Sequence, residues 1–323
     1  MHDIADIEKI ISFDEIKIAQ DRINGIIIKT PLEKSDFYSK IAECEVYMKL
    51  ENMQVTNSFK IRGALNKMLK LNDEEKKNGI LAISSGNHAQ GIGYGARFLN
   101  VKATVIVPEN TPKIKIDAIK KYNVDLKIIG KDYFEAEIIA REFEKITGMT
   151  YISPYNDADV IAGQGTIGLE ILNDNPEIDT IIAPVGGGGL ISGVAIAVKS
   201  INPKIKIIGV QSYASPIMYE SVKAGKIIEM EVKESIAEGL HGGIEKDTIT
   251  FELIRKYVDN ILLVSEDEIK NAIRLFMAHR NQLIEGSGAV GLAALLKYKN
   301  EFKNRKVAVI ISGGNLDIEK IKI

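Results

Sequence analysis

The feature that most constrains the fold of this chain is a run of four consecutive glycines, residues 186–189, between an apolar segment and a helical pattern. The apolar segment, residues 179–185, predicts a buried strand, and residues 190–197 predict the helix that follows it. Glycines at such a junction let the backbone turn sharply and approach an anion, and the start of the helix adds unpaired N–H groups. The junction therefore predicts a phosphate site at the end of a strand.

Two nucleotide-binding motifs can be tested against this site. A Walker A loop requires Lys-Ser or Lys-Thr after its glycines, and neither follows residue 189. A dinucleotide fingerprint occurs at residues 163–168, but only three apolar residues precede it, and the acidic residue expected about 20 positions later is missing. We interpret the fingerprint as a chance match, which favours a small cofactor with a single phosphate group.

Composition narrows the class of protein. The 323 residues are 45% hydrophobic and 27% charged, which is enough for a sizeable core. The net charge of −2 is spread along the chain, so we expect no nucleic-acid partner, and no uncharged stretch approaches the roughly 18 residues of a membrane span. Cys44 is the only cysteine, which excludes an internal disulfide. Residues 1–6 lack the pattern of a signal peptide, so we expect a cytoplasmic protein with a small-molecule ligand.

Strand-like and helix-like segments alternate, which predicts an α/β fold with largely parallel sheets. The predicted strands are residues 81–83, 104–107, 126–129, 180–185, 205–210 and 307–311, and predicted helices include residues 89–99, 113–122, 133–146, 166–172 and 266–280. Residues 80–150 are expected to form a small mobile domain. It is inserted between the two parts, 1–79 and 151–323, of a larger cofactor-binding domain.

Three polar or glycine-rich loops each follow a predicted strand. They are residues 84–88 after Ile83, the glycines after Val185, and residues 312–315 after Ile311. Ligands of parallel sheets gather at the carboxyl ends of the strands, so we expect these loops to converge on one cleft.

A further candidate is Lys60, at the start of a predicted helix that Asn57 or Ser58 would cap. The helix presents an apolar stripe formed by Ile61, Ala64, Leu65, Met68 and Leu69. Taken alone, Lys60 is typical of a solvated surface lysine at the edge of such a stripe. Its combination with the three loops favours a chemical role.

Together, residues 58–64, 84–91, 162–166, 186–190 and 312–315 resemble the pyridoxal-phosphate enzymes of the tryptophan-synthase-β fold type, fold type II. Within that type the chain is similar to the threonine/serine dehydratase and serine racemase family, from about residue 12 to residue 315. The resemblance implies two open, mostly parallel twisted sheets, a pyridoxal 5'-phosphate cofactor, an amino-acid substrate and a homodimer or homotetramer. It also implies that residues 162–166 are a structural segment near the cofactor.

The resemblance also implies a role for each matching residue. Lys60 would form the Schiff base with the cofactor and then act as the base at Cα, which requires an amine with a pKa below the usual value of about 10.4. Ser85 would be the second catalytic residue, an acid on the opposite face. The cofactor-binding residues implied are Phe59, Lys60, Asn87, Gly186, Gly187, Gly188, Gly189, Leu190, Glu285 and Ser312. The substrate-binding residues implied are Ser84, Ser85, Gly86, Asn87, His88 and His241.

Three of these residues carry further expectations, and Ser312 bears on the type of reaction. Ser312 would face the pyridine nitrogen, and a hydroxyl there makes a weaker electron sink than a carboxylate, which favours elimination over transamination. Glu285 would lie near the ring, and its alternative interpretation is an N-cap carboxylate for the following helix. His88 alone is more typical of a structural histidine, so we expect its backbone to matter more than its ring.

The chain also departs from the family pattern. Residues 211–216, after a predicted strand, include no carboxylate, and the next acidic residue is Glu220, so we expect no divalent metal site but leave room for a monovalent cation. His241 stands where simple threonine dehydratases have an apolar residue, and it would contact a substrate carboxylate or simply bond within its loop.

The expected function is an ammonia-lyase (dehydratase) acting on L-threonine or L-serine. Serine racemase and threo-3-hydroxyaspartate dehydratase are the alternatives on the same scaffold. A nicotinamide oxidoreductase and a non-catalytic binding protein are disfavoured, the first by the missing ribose carboxylate and the second by the presence of Lys60, Ser85 and Ser312 together.

Overall fold

A computed structural model of the chain describes residues 11–316 as two β-sheets flanked by helices. Residues 1–6, on which the expectation about a signal peptide depends, lie outside this range. Among the helices described, none has the length and apolar character needed to cross a membrane.

The larger sheet has six strands. In spatial order they are β1 (Leu32–Lys34), β2 (Glu45–Lys49), β10 (Lys306–Ile310), β7 (Thr180–Pro184), β8 (Lys206–Ser212) and β9 (Asn260–Val264). Only the β1–β2 pair is antiparallel. All five residues of β7 are buried, as expected for a strand covered on both faces.

The smaller sheet is built entirely from residues 80–151. Its order is β5 (Asp125–Ile128), β4 (Ala103–Val107), β3 (Ile80–Ile83) and β6 (Thr150–Tyr151), and all its pairs are parallel. The expected α/β fold with two mainly parallel sheets is therefore confirmed. The six predicted strands are present, whereas β1, β2, β6 and β9 were not predicted. The apolar run of β9 is short, and periodicity alone does not separate such a run from a buried helix.

Fourteen α-helices lie within the described range. They are α1 (Phe13–Ile23), α2 (Asp36–Ala42), α3 (Lys60–Lys70), α4 (Asp73–Asn78), α5 (Asn87–Leu99), α6 (Lys113–Lys120), α7 (Tyr133–Thr147), α8 (Ala158–Asp174), α9 (Gly189–Ile201), α10 (Ile217–Ala224), α11 (Ile249–Tyr257), α12 (Glu266–Arg280), α13 (Gly286–Lys297) and α14 (Lys299–Phe302). The predicted cap of α3 is wrong. Phe59 holds the N-cap position without a side-chain bond, and Asn57 has a φ of 53°, which places it in a turn before the helix.

The fingerprint at residues 163–168 lies inside α8, so no strand–turn–helix unit exists there, in agreement with its interpretation as a chance match. Its glycines allow close helix packing instead. A Cβ on Gly163 would lie 2.5 Å from the Arg62 carbonyl oxygen of α3, and a Cβ on Gly193 of α9 would lie 2.2 Å from the Ile161 carbonyl oxygen of α8. Helix α8 thus touches the backbones of both α3 and α9.

A buried ion cluster reinforces the α3–α8 contact. The Arg62 guanidinium of α3 donates to Glu51 at 2.8 and 2.9 Å and to Glu170 of α8 at 2.6 and 2.8 Å. Lys49 of β2 donates to Glu170 at 2.5 Å and to the Thr30 carbonyl at 2.6 Å. Burial works against the charge of Arg62, but the two carboxylates outweigh it and raise the pKa of the guanidinium. Two cations and two carboxylates therefore neutralise each other inside the protein.

Replacing Arg62 by Met should lower the free energy of unfolding by about 3–5 kcal/mol, because buried Glu51 loses its bonded cation and Glu170 keeps only Lys49. Chemical denaturation of the purified protein measures this change. A suitable control is Lys303→Met, which breaks an exposed 2.7 Å pair with Glu43 and should leave the denaturation midpoint unchanged. Equal losses in the two variants would contradict a special role for the buried cluster.

Candidate active site

The loop after β10 is bonded to the turn that precedes Lys60. Ser58 and Gly313 form an isolated antiparallel bridge, and the Phe59 N–H donates to the Ser312 carbonyl at 3.1 Å. The Gly314 N–H donates to the Asn57 carbonyl at 2.9 Å. These bonds place Lys60, the first residue of α3, next to the carboxyl end of β10.

The four glycines form a cradle at the start of α9. Gly188 is the N-cap, with a φ of 91° that disfavours any side chain, and a Cβ on Gly187 would lie 2.4 Å from the ring of Tyr155. The Thr250 hydroxyl donates to the Gly187 carbonyl at 2.6 Å and so ties the cradle to α11. The first amides of α9, as in any α-helix, have no partner inside the helix. This geometry suits a phosphate group.

Lys60 connects the cradle to the other loops. Its Nζ donates to the Pro154 carbonyl at 2.8 Å, and Pro154 adjoins Tyr155, whose ring covers Gly187. The ammonium lies 5.3 Å from the centre of the Phe59 ring. Burial lowers the pKa of Lys60 to about 8, although Glu285 opposes the shift. About a tenth of the amine is therefore neutral at pH 7, as a nucleophile or base requires.

A chain of side chains joins the loop after β3, the loop after β10 and the start of α13. Asn315 Nδ2 donates to Asn87 Oδ1 at 2.8 Å, and Asn87 Nδ2 donates to Glu285 Oε1 at 2.7 Å. Glu285 occupies the N-cap position of α13, but its carboxyl group makes no capping bond, so that alternative interpretation of the side chain is wrong. Burial raises the pKa of Glu285 to about 7, against the effect of the Asn87 bond.

The loop after β3 presents serine side chains at the start of α5. Ser84 and Ser85 are half-buried, and Ser84 Oγ accepts from the Gly86 N–H at 3.1 Å. His88 is buried, with Nε2 2.9 Å from the Ile152 carbonyl. Burial, with a smaller contribution from Lys60, lowers the pKa of His88 to about 3. Its ring is therefore neutral near pH 7 and donates to the backbone.

Ser312 and His241 differ in their exposure to solvent. Ser312 is buried, and its hydroxyl donates to the Ser287 carbonyl at 3.4 Å. His241 is exposed and ends a short 3₁₀ turn, Glu238–Leu240. Lys115 of α6 reaches this turn through a 2.5 Å ion pair with Glu238. The structure thus brings most of the expected residues together but leaves His241 facing solvent.

The last residue of β8 contacts a carboxylate that the sequence pattern did not predict. Glu266, at the start of α12, accepts from Ser212 Oγ at 2.6 Å, from Ser235 Oγ at 2.7 Å and from the Ile236 N–H at 2.8 Å. Glu266 follows the neighbouring strand β9, so inspection of residues 211–216 alone could not find it. Its oxygens are bonded to protein donors. Within residues 11–316, no group of three or more His, Cys, Asp or Glu side chains is arranged to hold a metal ion.

The sequence pattern also did not predict the contacts that Tyr155 and Pro154 make in the site. Tyr155 packs on Gly187, and its hydroxyl accepts from the Glu245 N–H at 3.0 Å. The Pro154 carbonyl is the acceptor for Lys60. Neither residue belongs to a loop that directly follows a predicted strand, and the local sequence carries no other signal for them.

Most of the chain matches the model of one protein family. The profile of the family described as "Pyridoxal-phosphate dependent enzyme" covers residues 23–313. The chain is 43% identical over 312 residues to an L-threonine ammonia-lyase of Thermotoga maritima, a match that covers 96% of this chain and 77% of the relative. It is 41% identical over 313 residues to the catabolic L-threonine dehydratase TdcB of Escherichia coli K12, with 96% and 95% covered.

Solved structures agree with this match. Maize serine racemase superposes with a TM-score of 0.92 at 34% identity, covering 96% of this chain and 95% of that one. The processed form of threonine deaminase isoform 2 from Solanum lycopersicum gives a TM-score of 0.90 at 35% identity, covering 99% and 94%. The chain belongs to the pyridoxal-phosphate-dependent enzyme family.

The residues present fit the cofactor of this family. The glycines of the cradle leave its backbone amides without side chains of their own to cover them, and Lys60 offers an amine of lowered pKa that is bonded to the residue before Tyr155. Asn87 and Ser312 add neutral hydrogen-bonding groups for the ring. Each polar part of the cofactor would thus meet a group of matching chemistry.

Replacing Gly187 by Ala should weaken cofactor affinity at least about tenfold, or about 1.4 kcal/mol, because the new Cβ and the Tyr155 ring cannot both keep their positions. Equilibrium titration of the apoprotein with pyridoxal phosphate gives the dissociation constant. Gly243→Ala is the matched control, since a Cβ there meets nothing within 4 Å. Unchanged affinity in Gly187→Ala would contradict the cradle.

The lowered pKa of Lys60 predicts the pH dependence of cofactor attachment. The neutral amine is the nucleophile, so the rate at which apoprotein attaches pyridoxal phosphate should rise as pH increases through about 8 and level off above it. Glu285→Gln removes a charge that raises this pKa, so its midpoint should lie lower. Stopped-flow absorbance between about pH 6 and about pH 10, close to the usual lysine pKa, measures both curves. A rate that keeps rising toward that usual value would contradict the assignment.

Proposed function

We propose that the protein is a pyridoxal-phosphate-dependent ammonia-lyase that converts L-threonine or L-serine into a 2-oxo acid and ammonia by α,β-elimination. The observation that carries this proposal is the position of Lys60, an amine with a pKa of about 8 between the glycine cradle and the Ser312 loop. The relatives named threonine ammonia-lyase and threonine dehydratase support the choice of substrate.

Each residue contributes a defined step. The bound cofactor supplies an electron sink for the electrons left at Cα when its proton departs. Lys60 takes that proton, since its amine is partly neutral near pH 7. The backbone N–H groups and hydroxyls of residues 84–88 receive the substrate carboxylate at the start of α5. Ser312 offers the ring nitrogen a neutral hydroxyl, which keeps the sink weak and favours loss of the 3-hydroxyl.

The cofactor contacts follow the same arrangement. The amides of residues 186–190 would bind the phosphate, Phe59 would pack beside the ring, and Asn87 would donate to the ring hydroxyl. Glu285, with a pKa of about 7, lies behind Asn87 and changes charge in the physiological range. The protein supplies mostly neutral donors around a ligand that brings its own charges.

We further propose that residues 80–150 move as a small domain over the site. The smaller sheet belongs almost entirely to this segment, and Lys115 of α6 pairs with Glu238 of the larger part at 2.5 Å. Closure would exclude water from the reacting groups. A cytoplasmic location, a homodimer or homotetramer, and a monovalent cation belong to the same proposal.

Serine racemase is the second candidate function. Ser85 supports it, because its half-buried hydroxyl lies in the loop before α5, and by the family resemblance it would return a proton to the face opposite Lys60. Maize serine racemase is also a structural relative. Elimination from threo-3-hydroxyaspartate is the third, and it depends on His241 turning inward from its exposed position.

The purified, cofactor-loaded protein should release a 2-oxo acid from L-threonine or L-serine. A panel of L-threonine, L-serine, threo-3-hydroxyaspartate and their enantiomers separates the candidates when 2-oxo acid and the enantiomeric ratio of the remaining substrate are both measured. Lys60→Ala should abolish turnover, and Lys223→Ala, which removes an exposed lysine of α10, should not change it. Enantiomer exchange without 2-oxo acid would favour the racemase, and no change in any substrate would contradict both.

A further inference from the structure

Both amide hydrogens of the Asn315 side chain form hydrogen bonds. Nδ2 donates to the Thr56 carbonyl at 2.9 Å and to Asn87 Oδ1 at 2.8 Å. Asn315 Oδ1 accepts from Asn57 Nδ2 at 3.4 Å, the longest bond of the group. The residue therefore holds Asn87 from the turn before α3 and from the loop after β10 at the same time.

The direction of these bonds is fixed by the Thr56 carbonyl. A carbonyl oxygen only accepts, so the NH₂ group of Asn315, not its oxygen, must face it. The same NH₂ group also faces Asn87, which obliges Asn87 to turn its oxygen toward Asn315. The Asn87 NH₂ group is then left to face Glu285, at 2.7 Å, with its second hydrogen available to a bound ligand.

We propose that Asn315 is a positioning residue that fixes the amide orientation of Asn87, so that Asn87 presents hydrogen-bond donors to the ring hydroxyl of the cofactor. This inference rests on the proposed function. With the opposite orientation, Asn87 would present its carbonyl oxygen to the ring oxygen and to Glu285. Acceptors would then face each other in a buried site, at the cost of a lost bond and of repulsion.

The inference predicts a spectroscopic change. A donor bonded to the ring oxygen stabilises its deprotonated form, so loss of the donor raises the pH at which the bound cofactor changes its visible absorption. One charge-assisted hydrogen bond corresponds to a shift of about one pH unit and to about a tenfold rise in the dissociation constant of pyridoxal phosphate.

Two variants of Asn315 test this point. Asn315→Leu has a similar shape, no charge and no donor. Asn315→Asp keeps the polar shape but can only accept, so Asn87 must turn its NH₂ group away from the cofactor. In both variants, measured without substrate, we expect a higher pH midpoint of the absorption change and a higher dissociation constant of pyridoxal phosphate. The charged groups that act on Glu285 are Lys60, Lys115 and Glu238, and the variants leave all three in place.

Two controls separate positioning from general destabilisation. Asn57→Gly removes the 3.4 Å bond but suits the φ of 53°, and it should leave both readouts unchanged. In an Asn87→Ala background, Asn315→Leu should add no further shift, because Asn315 acts only through Asn87.

The results of these experiments distinguish failure of the Asn315 inference from failure of the proposed function. Parent-like midpoint and affinity in both Asn315 variants would overturn the inference, even if their melting temperatures fall. Shifts that persist fully in the Asn87→Ala background would also overturn it. Failure of the parent chain to bind pyridoxal phosphate would instead overturn the proposed function.

Discussion

The arrangement of the site depends on the direct backbone contact that helix α8 makes with α3 and α9. Gly163 and Gly193 allow this contact, since a Cβ at either position would lie within 2.5 Å of a carbonyl oxygen of the facing helix. Lys60 is the first residue of α3, and Gly188 caps α9. By packing directly against the backbones of both helices, α8 fixes the position of the lysine relative to the glycine cradle. The Arg62–Glu170 pair adds a buried, charge-balanced connection across the same contact.

Burial governs the electrostatics of the site. It is the largest cause of the lowered pKa of Lys60, the lowered pKa of His88 and the raised pKa of Glu285, so each group moves toward its neutral form near pH 7. At pH 7 the ring of His88 is therefore neutral, and the neutral fraction of Lys60 is available to take up a proton. The directed chain from Asn315 through Asn87 to Glu285 then determines which atoms face the ring.

Much of the architecture could be predicted from local sequence. The six predicted strands and the loops after β3, β7 and β10 required only apolar runs and the residues that end them. The start of α3 near Lys60 could be predicted, but its N-cap could not, because the turn before it is set by the pairing of Ser58 with Gly313, which is distant in the sequence. Glu266 and Tyr155 were missed for the same reason, since each reaches its place through a neighbouring element. Amide direction depends on several residues at once, and no single motif encodes it.

The central claim is that Lys60 is the residue to which the cofactor attaches. Reducing the pyridoxal-phosphate-loaded protein with borohydride makes that attachment permanent, and peptide mass spectrometry then locates it. The geometry predicts a single modified peptide containing Lys60, since burial there lowers the pKa of the amine to about 8. Modification of a different lysine, or a mixture spread over surface lysines, would contradict the account.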